Sequence, residues 1–316
     1  VYSLSKYKKE VEIETCKFSA PVQQSHRKTR SKATILGGAM TSPILVTGGT
    51  GMLGRLVVRR LHDAGYDLRV LSRGSHAAKD GIEFVTGDLS TGKGIEPAVD
   101  GVETIVHLAG SAKGDEDKTR NLVRAASSQR RLPHLVYISV VGADRIPIDS
   151  RVDRAMFGYF ASKRASEKII EDSGLPWTTL RATQFDEGML AVARQMVKLP
   201  VIPLPARFRF QPVEAEEVAA RLVELTLGEP AGRVPDMGGP RVYSAAELLR
   251  GYLRATKQRR LIVPVWLPGK AARAFRAGAN LTLEQAVGHR TWEEFLAERL
   301  SQRRLTPRVG TSSASV

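Results

Sequence analysis

The chain has 316 residues, 42% of them hydrophobic and 26% charged, a formal net charge of +15 and one cysteine, a composition that suits one large core or two modest ones. Cys16 alone excludes an intramolecular disulfide and a cysteine-based metal site, and six scattered histidines without an HExxH-type pair point away from any metal. No apolar stretch approaches the ~18 residues of a membrane span and no secretory signal is visible, so a cytoplasmic protein is expected.

Residues 1–39 hold eight Lys/Arg against three Glu and residues 301–316 hold three Arg and no acid, which leaves +7 for residues 40–300. Both ends are rich in Ser, Thr and basic residues without a sustained amphipathic pattern and are expected to be disordered. Residues 1–39 read as an extension upstream of one domain spanning 40–300; a basic transit segment is the alternative, weakened by Glu10, Glu12 and Glu14. The middle is only mildly basic, and no nucleic-acid partner is expected.

The domain opens on the apolar run Pro43-Ile44-Leu45-Val46, a strand over 44–47, and passes into Thr47-Gly48-Gly49-Thr50-Gly51-Met52-Leu53-Gly54. Glycines at 48, 51 and 54 supply a tight turn, close backbone approach to a pyrophosphate and close packing of the next helix. Leu53, Leu56, Val57 and Leu61 recur at helical spacing over 52–64, so free amides around Thr50 to Leu53 face an anion at a helix start. This strand, turn and helix read as a dinucleotide site.

Further strands are expected at 68–72, 82–86, 104–108, 135–140 and 178–181. Between them fall a short segment near 94–99 and helices near 117–129 and 160–172, an alternation that predicts an α/β fold with a doubly wound parallel sheet. The second strand ends at Ser72-Arg73, where an acid would take a ribose 2′-hydroxyl; Arg73, helped by Ser72, instead suits a 2′-phosphate and argues for NADP over NAD. After the third strand, Asp88 and Leu89 stand where an adenine could be met, a turn-capping aspartate being the alternative. Leu108-Ala109-Gly110 follows the fourth strand, and its small residues allow close passage by the cofactor ribose. Residues 87–94 nearly match a P-loop, but Gly94 replaces the magnesium-binding hydroxyl and Pro97 cuts the helix short.

Tyr159 and Lys163, four apart, share a helix face. A cationic Lys163 near the phenol favours its ionised form, as a general acid for carbonyl reduction requires, and could also hold the nicotinamide ribose. Tyr2 and Lys6 share the spacing but precede the glycine turn. Ser139 could orient a substrate carbonyl beside Tyr159; a strand-end serine is the alternative, as core packing beside Phe157 and Phe160 is for Tyr159. Beyond Arg181 a Pro-rich, loop-rich stretch with helices near 214–227, 245–255, 283–287 and 292–300 is expected to form a smaller, mostly helical substrate-binding portion without a second sheet. Phe208, Phe210, Trp266 and Phe275 suggest an apolar cleft for a small molecule there, and the Asn280 sequon reads as accidental.

Together Thr47–Gly54, Gly87-Asp88-Leu89, Leu108-Ala109-Gly110, Ser139 and Tyr159/Lys163 resemble a short-chain dehydrogenase/reductase over about residues 43–300. Residues 177–185, Trp-Thr-Thr-Leu-Arg-Ala-Thr-Gln-Phe, are similar to a segment of its atypical NmrA-like branch. The resemblance implies a Rossmann fold, a cofactor role for Ala182, Thr183 and Gln184, Ser139 orienting substrate, Tyr159 exchanging the proton, and Lys163 supporting tyrosine and ribose. Leu108 departs from the asparagine of the usual Asn-Ala-Gly turn. An NADP-dependent oxidoreductase acting on a carbonyl, alcohol or quinone is therefore expected, with a non-catalytic NADP-binding sensor as the alternative and a sugar-nucleotide epimerase as a third option.

Overall fold

The computed structural model describes residues 42–78, 81–110 and 114–305. The extension at 1–39 and most of the C-terminal tail lie outside the described residues. Seven strands form one parallel sheet in the order β3-β2-β1-β4-β5-β6-β9: β1 (Ile44–Thr47), β2 (Leu68–Ser72), β3 (Ile82–Thr86), β4 (Thr104–His107), β5 (His134–Val140), β6 (Trp177–Ala182) and β9 (Gly232–Arg233). The chain runs outward from β1 to β3 and then returns to the other side with β4. The order therefore reverses between β1 and β4, and in such sheets ligands bind beyond the strand carboxyl ends at that crevice.

Strand periodicity divides the core into two layers. Val46, Val70, Val106, Val136 and Leu180 face α1 (Met52–Asp63) and α6 (Ala215–Leu227). Leu45, Leu71, Ile105, Leu135 and Tyr137 face α2 (Glu96–Val99), α3 (Asp115–Ser127) and α4 (Arg151–Glu171). Helices thus cover both faces, as purely parallel strands with apolar residues on both sides demand.

Helix α4 corrects the expected boundary, since it starts nine residues before Phe160. Ser150 Oγ accepts from the Asp153 amide (2.9 Å) while Asp153 Oδ2 accepts from the Ser150 amide (3.1 Å), a closed capping box. Tyr159 and Lys163 consequently lie in mid-helix rather than at a helix start.

The C-terminal portion is more ordered than a loop-rich stretch. It adds α5 (Asp186–Met196), α7 (Ala245–Ala255), α8 (Lys270–Ala277) and α9 (Trp292–Leu305), which runs five residues into the expected tail. The expected helix at 283–287 is only a 3₁₀ turn, Leu283–Gln285. Two small ribbons also form where no second sheet was expected: β7 (Val201–Pro205) pairs parallel with β11 (Leu261–Val265), and β8 (Arg209–Phe210) pairs antiparallel with β10 (Tyr243–Ser244). Asn280 is buried and its amide donates to Arg209 O (2.8 Å), so the sequon is closed to modification in the fold.

Candidate active site

Everything about the turn after β1 depends on missing side chains. Gly48 has φ +72°, and a Cβ there would lie 2.7 Å from Ala109 N; a Cβ on Gly54 would lie 2.0 Å from Gly48 O. The turn is therefore pressed against both the Leu108–Ala109 peptide and the first turn of α1, at the β1/β4 crevice. Gly51 caps α1 without a side chain and no acid stands in its first turn, unlike α4 and α7, whose capping boxes close their amides. The first amides of α1 have no intrahelical acceptor, which fits a dinucleotide pyrophosphate. Thr50 and Gly51 line this turn, whereas Met52 and Leu53 pack into the core and offer the site only their backbone.

Thr47 is not free to touch a cofactor with its side chain. Thr119 donates its hydroxyl proton to Asp115 O (2.8 Å), so His107 Nε2 must donate to Thr119 Oγ1 (3.2 Å) and Nδ1 must accept from Thr47 Oγ1 (2.7 Å). Burial, with the Lys163 cation nearby, pushes the His107 pKa down to about 3, which keeps the ring neutral. His107 stacks on Tyr137 at 5.4 Å, and the Lys163 ammonium lies 4.9 Å from the Tyr137 ring.

Lys163 is buried. Its Nζ donates to Ile138 O (3.2 Å), pairs with Asp115 Oδ2 (3.5 Å) and lies 5.7 Å from the Tyr159 ring centroid. Burial alone would lower its pKa, but Tyr137, Tyr159 and Asp115 outweigh that and hold it above the usual lysine range. A Cβ on Gly110 would sit 3.3 Å from both Lys163 Nζ and Asp115 Oδ2. The turn after β4 therefore touches the lysine, and one helical turn away Tyr159 is 37% exposed.

Other expected residues are placed differently. Ser139 is buried opposite Arg181 in the β5/β6 ladder, beneath α4 and near the Arg181–Glu167 ion pair, and its hydroxyl makes no hydrogen bond among the described residues. Leu89 is core, and Asp88 Oδ1 caps the Ser90 amide (2.9 Å), the turn-capping alternative. Leu108 packs against the core and Ala109 against the opposite layer. Ala182 is buried at the end of β6; the Thr183 hydroxyl donates to Gln211 O, and Gln184 accepts from Val213 N (2.9 Å) through its carbonyl. Phe208 and Phe275 stack at 5.0 Å and meet Phe157 and Phe160 in a buried cluster, whereas Trp266 lies apart and exposed.

Ser72 Oγ bonds His76 Nε2 (2.9 Å), and Arg73 is exposed without an ion pair among the described residues. Next to the glycine turn lies a recess of about 420 Å³ whose lining includes Thr50, Arg55, Arg59, His62, His76 and Phe84.

The sequence reading missed Asp115, His107, Tyr137 and Asp186. His107 and Tyr137 were detectable as polar groups inside apolar strands; Asp115 becomes the partner of Lys163 only in space. Asp186 is fully buried with neither oxygen hydrogen-bonded, and burial, reinforced by Glu187 and Glu214, pushes its pKa up to about 8. Its folded value is raised, so the stability it contributes is complete below the unfolded value near 4 and is lost as pH climbs towards 8. Asp186→Asn should accordingly raise stability at pH 8.5 by up to about 5 kcal/mol and flatten the fall between pH 5 and 8 in urea titrations; an unchanged pH profile would contradict this.

A family profile for NAD(P)H-binding proteins matches residues 48–226. The (4-alkanoyl-5-oxo-2,5-dihydrofuran-3-yl)methyl phosphate reductase of Streptomyces griseus is 29% identical over 211 residues, 65% of this chain and 70% of that protein. The photosystem II assembly factor Ycf39 of Trieres chinensis is 24% identical, over 65% of this chain and 66% of that protein. In fold the chain is similar to an NADPH-dependent quinone oxidoreductase of Escherichia coli complexed with NADPH, with TM-score 0.68, 20% identity and coverage of 81% of this chain and 99% of that one. That profile spans more than half of the chain, and with the glycine cradle at the β1/β4 crevice it shows that the chain belongs to the family of NAD(P)H-binding proteins.

Proposed function

We propose that the protein is an NADP-dependent oxidoreductase moving a hydride between the nicotinamide and a small carbonyl, alcohol or quinone. One observation carries the reading: Gly110, in the turn at the cofactor crevice, lies against Lys163, one helical turn from Tyr159. When bound, the dinucleotide supplies or accepts the hydride. The chain does the rest. Amides at the start of α1 hold the pyrophosphate, and the partly exposed Tyr159 hydroxyl exchanges the proton with the substrate oxygen. Lys163, kept cationic by its neighbours, maintains a positive field under the phenol ring while Asp115 and the Ile138 carbonyl fix its position. Tyr159→Phe should leave NADPH binding within twofold and lower turnover at least about tenfold against a quinone and aldehyde panel.

The unpaired Arg73 and the basic residues of the recess support a 2′-phosphate. Arg73→Ser should weaken NADPH binding about tenfold in fluorescence titrations and leave NADH unchanged; equal loss for both would remove the NADP preference. A non-catalytic sensor is favoured by one feature, the neutralisation of Lys163 by Asp115. Absence of turnover with intact NADPH binding, in the native chain as in Tyr159→Phe, would establish that reading instead.

A further inference from the structure

The ribbon of β7 and β11 breaks the usual division between buried and solvent faces. Its inner residues Ile202, Leu204 and Ile262 pack on the C-terminal core. Its outer face pairs Leu261 with Val201 and Val263 with Pro203, followed by Val265, and these aliphatic residues are all exposed, Leu261 at 63%. Strands apolar on both sides are ordinarily covered on both sides, and a contiguous apolar patch on a surface marks something that covers it. At the end of β11, Trp266 is 58% exposed with the Arg276 guanidinium 4.0 Å from its ring.

Charge identifies the occupant. From Leu248 to Asn280 the chain carries eight Lys/Arg and no acid. Arg250, Arg254, Lys257, Arg259, Arg260 and Arg273 are exposed and make no ion pair among the described residues. Four of these arginines share a recess with Ile262 of β11, so the charge lies beside the apolar ribbon.

We propose that the β7/β11 face, with Trp266 and its flanking arginines, docks on an anionic lipid surface. Aliphatic side chains enter the boundary between headgroups and acyl chains, tryptophan sits at that level, and the cations meet lipid phosphates. A second copy fits less well, because ribbon-to-ribbon docking would bring two acid-free +8 segments together. Strand addition is also blocked. Val265 O accepts from Ala206 N (2.8 Å), so residues 261, 263 and 265 turn their backbones towards β7 and residue 264 faces the open edge, where Pro264 has no N–H. No helix among the described residues is long and apolar enough to cross a membrane, and the docking is peripheral.

The test uses the full chain with vesicles of phosphatidylcholine alone or with about a third phosphatidylglycerol, read by co-sedimentation and tryptophan emission. Trp292 is buried and Trp177 half-buried, so a change in emission reports on Trp266. Expected are binding to the anionic vesicles with a blue shift, at least about tenfold weaker binding to neutral ones, and a similar loss in high salt. Leu261→Ser/Val263→Ser and Arg254→Glu/Arg259→Glu should each weaken binding at least about tenfold. These positions are exposed and none lines the recess beside the glycine turn, so unchanged NADPH binding verifies the fold. No binding, equal binding to neutral vesicles, or binding indifferent to Leu261→Ser/Val263→Ser would each overturn the proposal. So would self-association without vesicle binding that Leu261→Ser/Val263→Ser abolishes.

Discussion

Gly54→Val is expected to abolish NADPH binding and to cost about 3 kcal/mol or more in stability, the upper range for overpacking. At Gly54 the first added carbon lies 2.0 Å from Gly48 O and 2.7 Å from Gly49 Cα, both backbone atoms with no rotamer to yield. Relief requires α1 to move away from the turn. That movement withdraws the helix amides from the pyrophosphate and, through Gly48, loosens the contact with Ala109. Fluorescence titration should show at least about a hundredfold weaker binding, equivalent to losing charge-assisted hydrogen bonds to the phosphates. Gly188→Ala in α5 is the control, because nothing lies within 4 Å of its added Cβ. It should stabilise the chain by about 0.5–1 kcal/mol, the helix-propensity difference. Binding by Gly54→Val within threefold of the native chain would refute the cradle.

Arg181→Met should cost about 3 kcal/mol, the lower end for breaking a buried pair, because it takes the two-pronged partner from a buried carboxylate and leaves only Arg164 Nη1 at 3.0 Å. Arg181 binds Glu167 through Nε (2.7 Å) and Nη2 (2.6 Å), and its Nη1 reaches Asp144 (2.8 Å). The pair ties β6 to α4 one helical turn beyond Lys163, so the helix that presents Tyr159 is anchored there. Arg181→Met/Glu167→Met removes both charges and should recover most of the loss, although each site is perturbed. The pH response has a definite sign. Burial would raise the Glu167 pKa, but Arg181 prevails and holds it below the usual carboxylate range. Its stabilisation is present above the unfolded value near 4.3 and is lost as pH falls through the lower folded value. Urea titrations should therefore show an acid-side fall in the native chain that is shallower in the double variant. A double variant as unstable as Arg181→Met would show that lost packing, not the weakened pairing of Glu167, sets the cost.

Local patterns made the first six strands and the glycine turn legible, because each combines an apolar period with a turn signal within a dozen residues. The start of α4 was also written locally, in Ser150 and Asp153, but Gly158 and the mixed faces of 151–159 obscured it. That helix packs against α3 on one side and α8 on the other, so its apolar residues form no single stripe. Ser139 shows how alternation along a strand sets the surroundings of a candidate residue. It shares a strand face with Tyr137, and that face is closed by Glu167 and Arg181.

By itself the sequence determined the parallel sheet, the Gly48/Gly51/Gly54 turn and the Tyr159/Lys163 pair, since each rests on spacing within one element. Only the tertiary structure decided how those parts are used. Asp115 reaches Lys163 across 48 residues, and Gly48 meets Ala109 across 61. The two-stranded ribbon joins residues 60 apart. Such contacts depend on where separate elements dock, and short strands carry little preference of their own until a neighbour supplies the other half of the ladder.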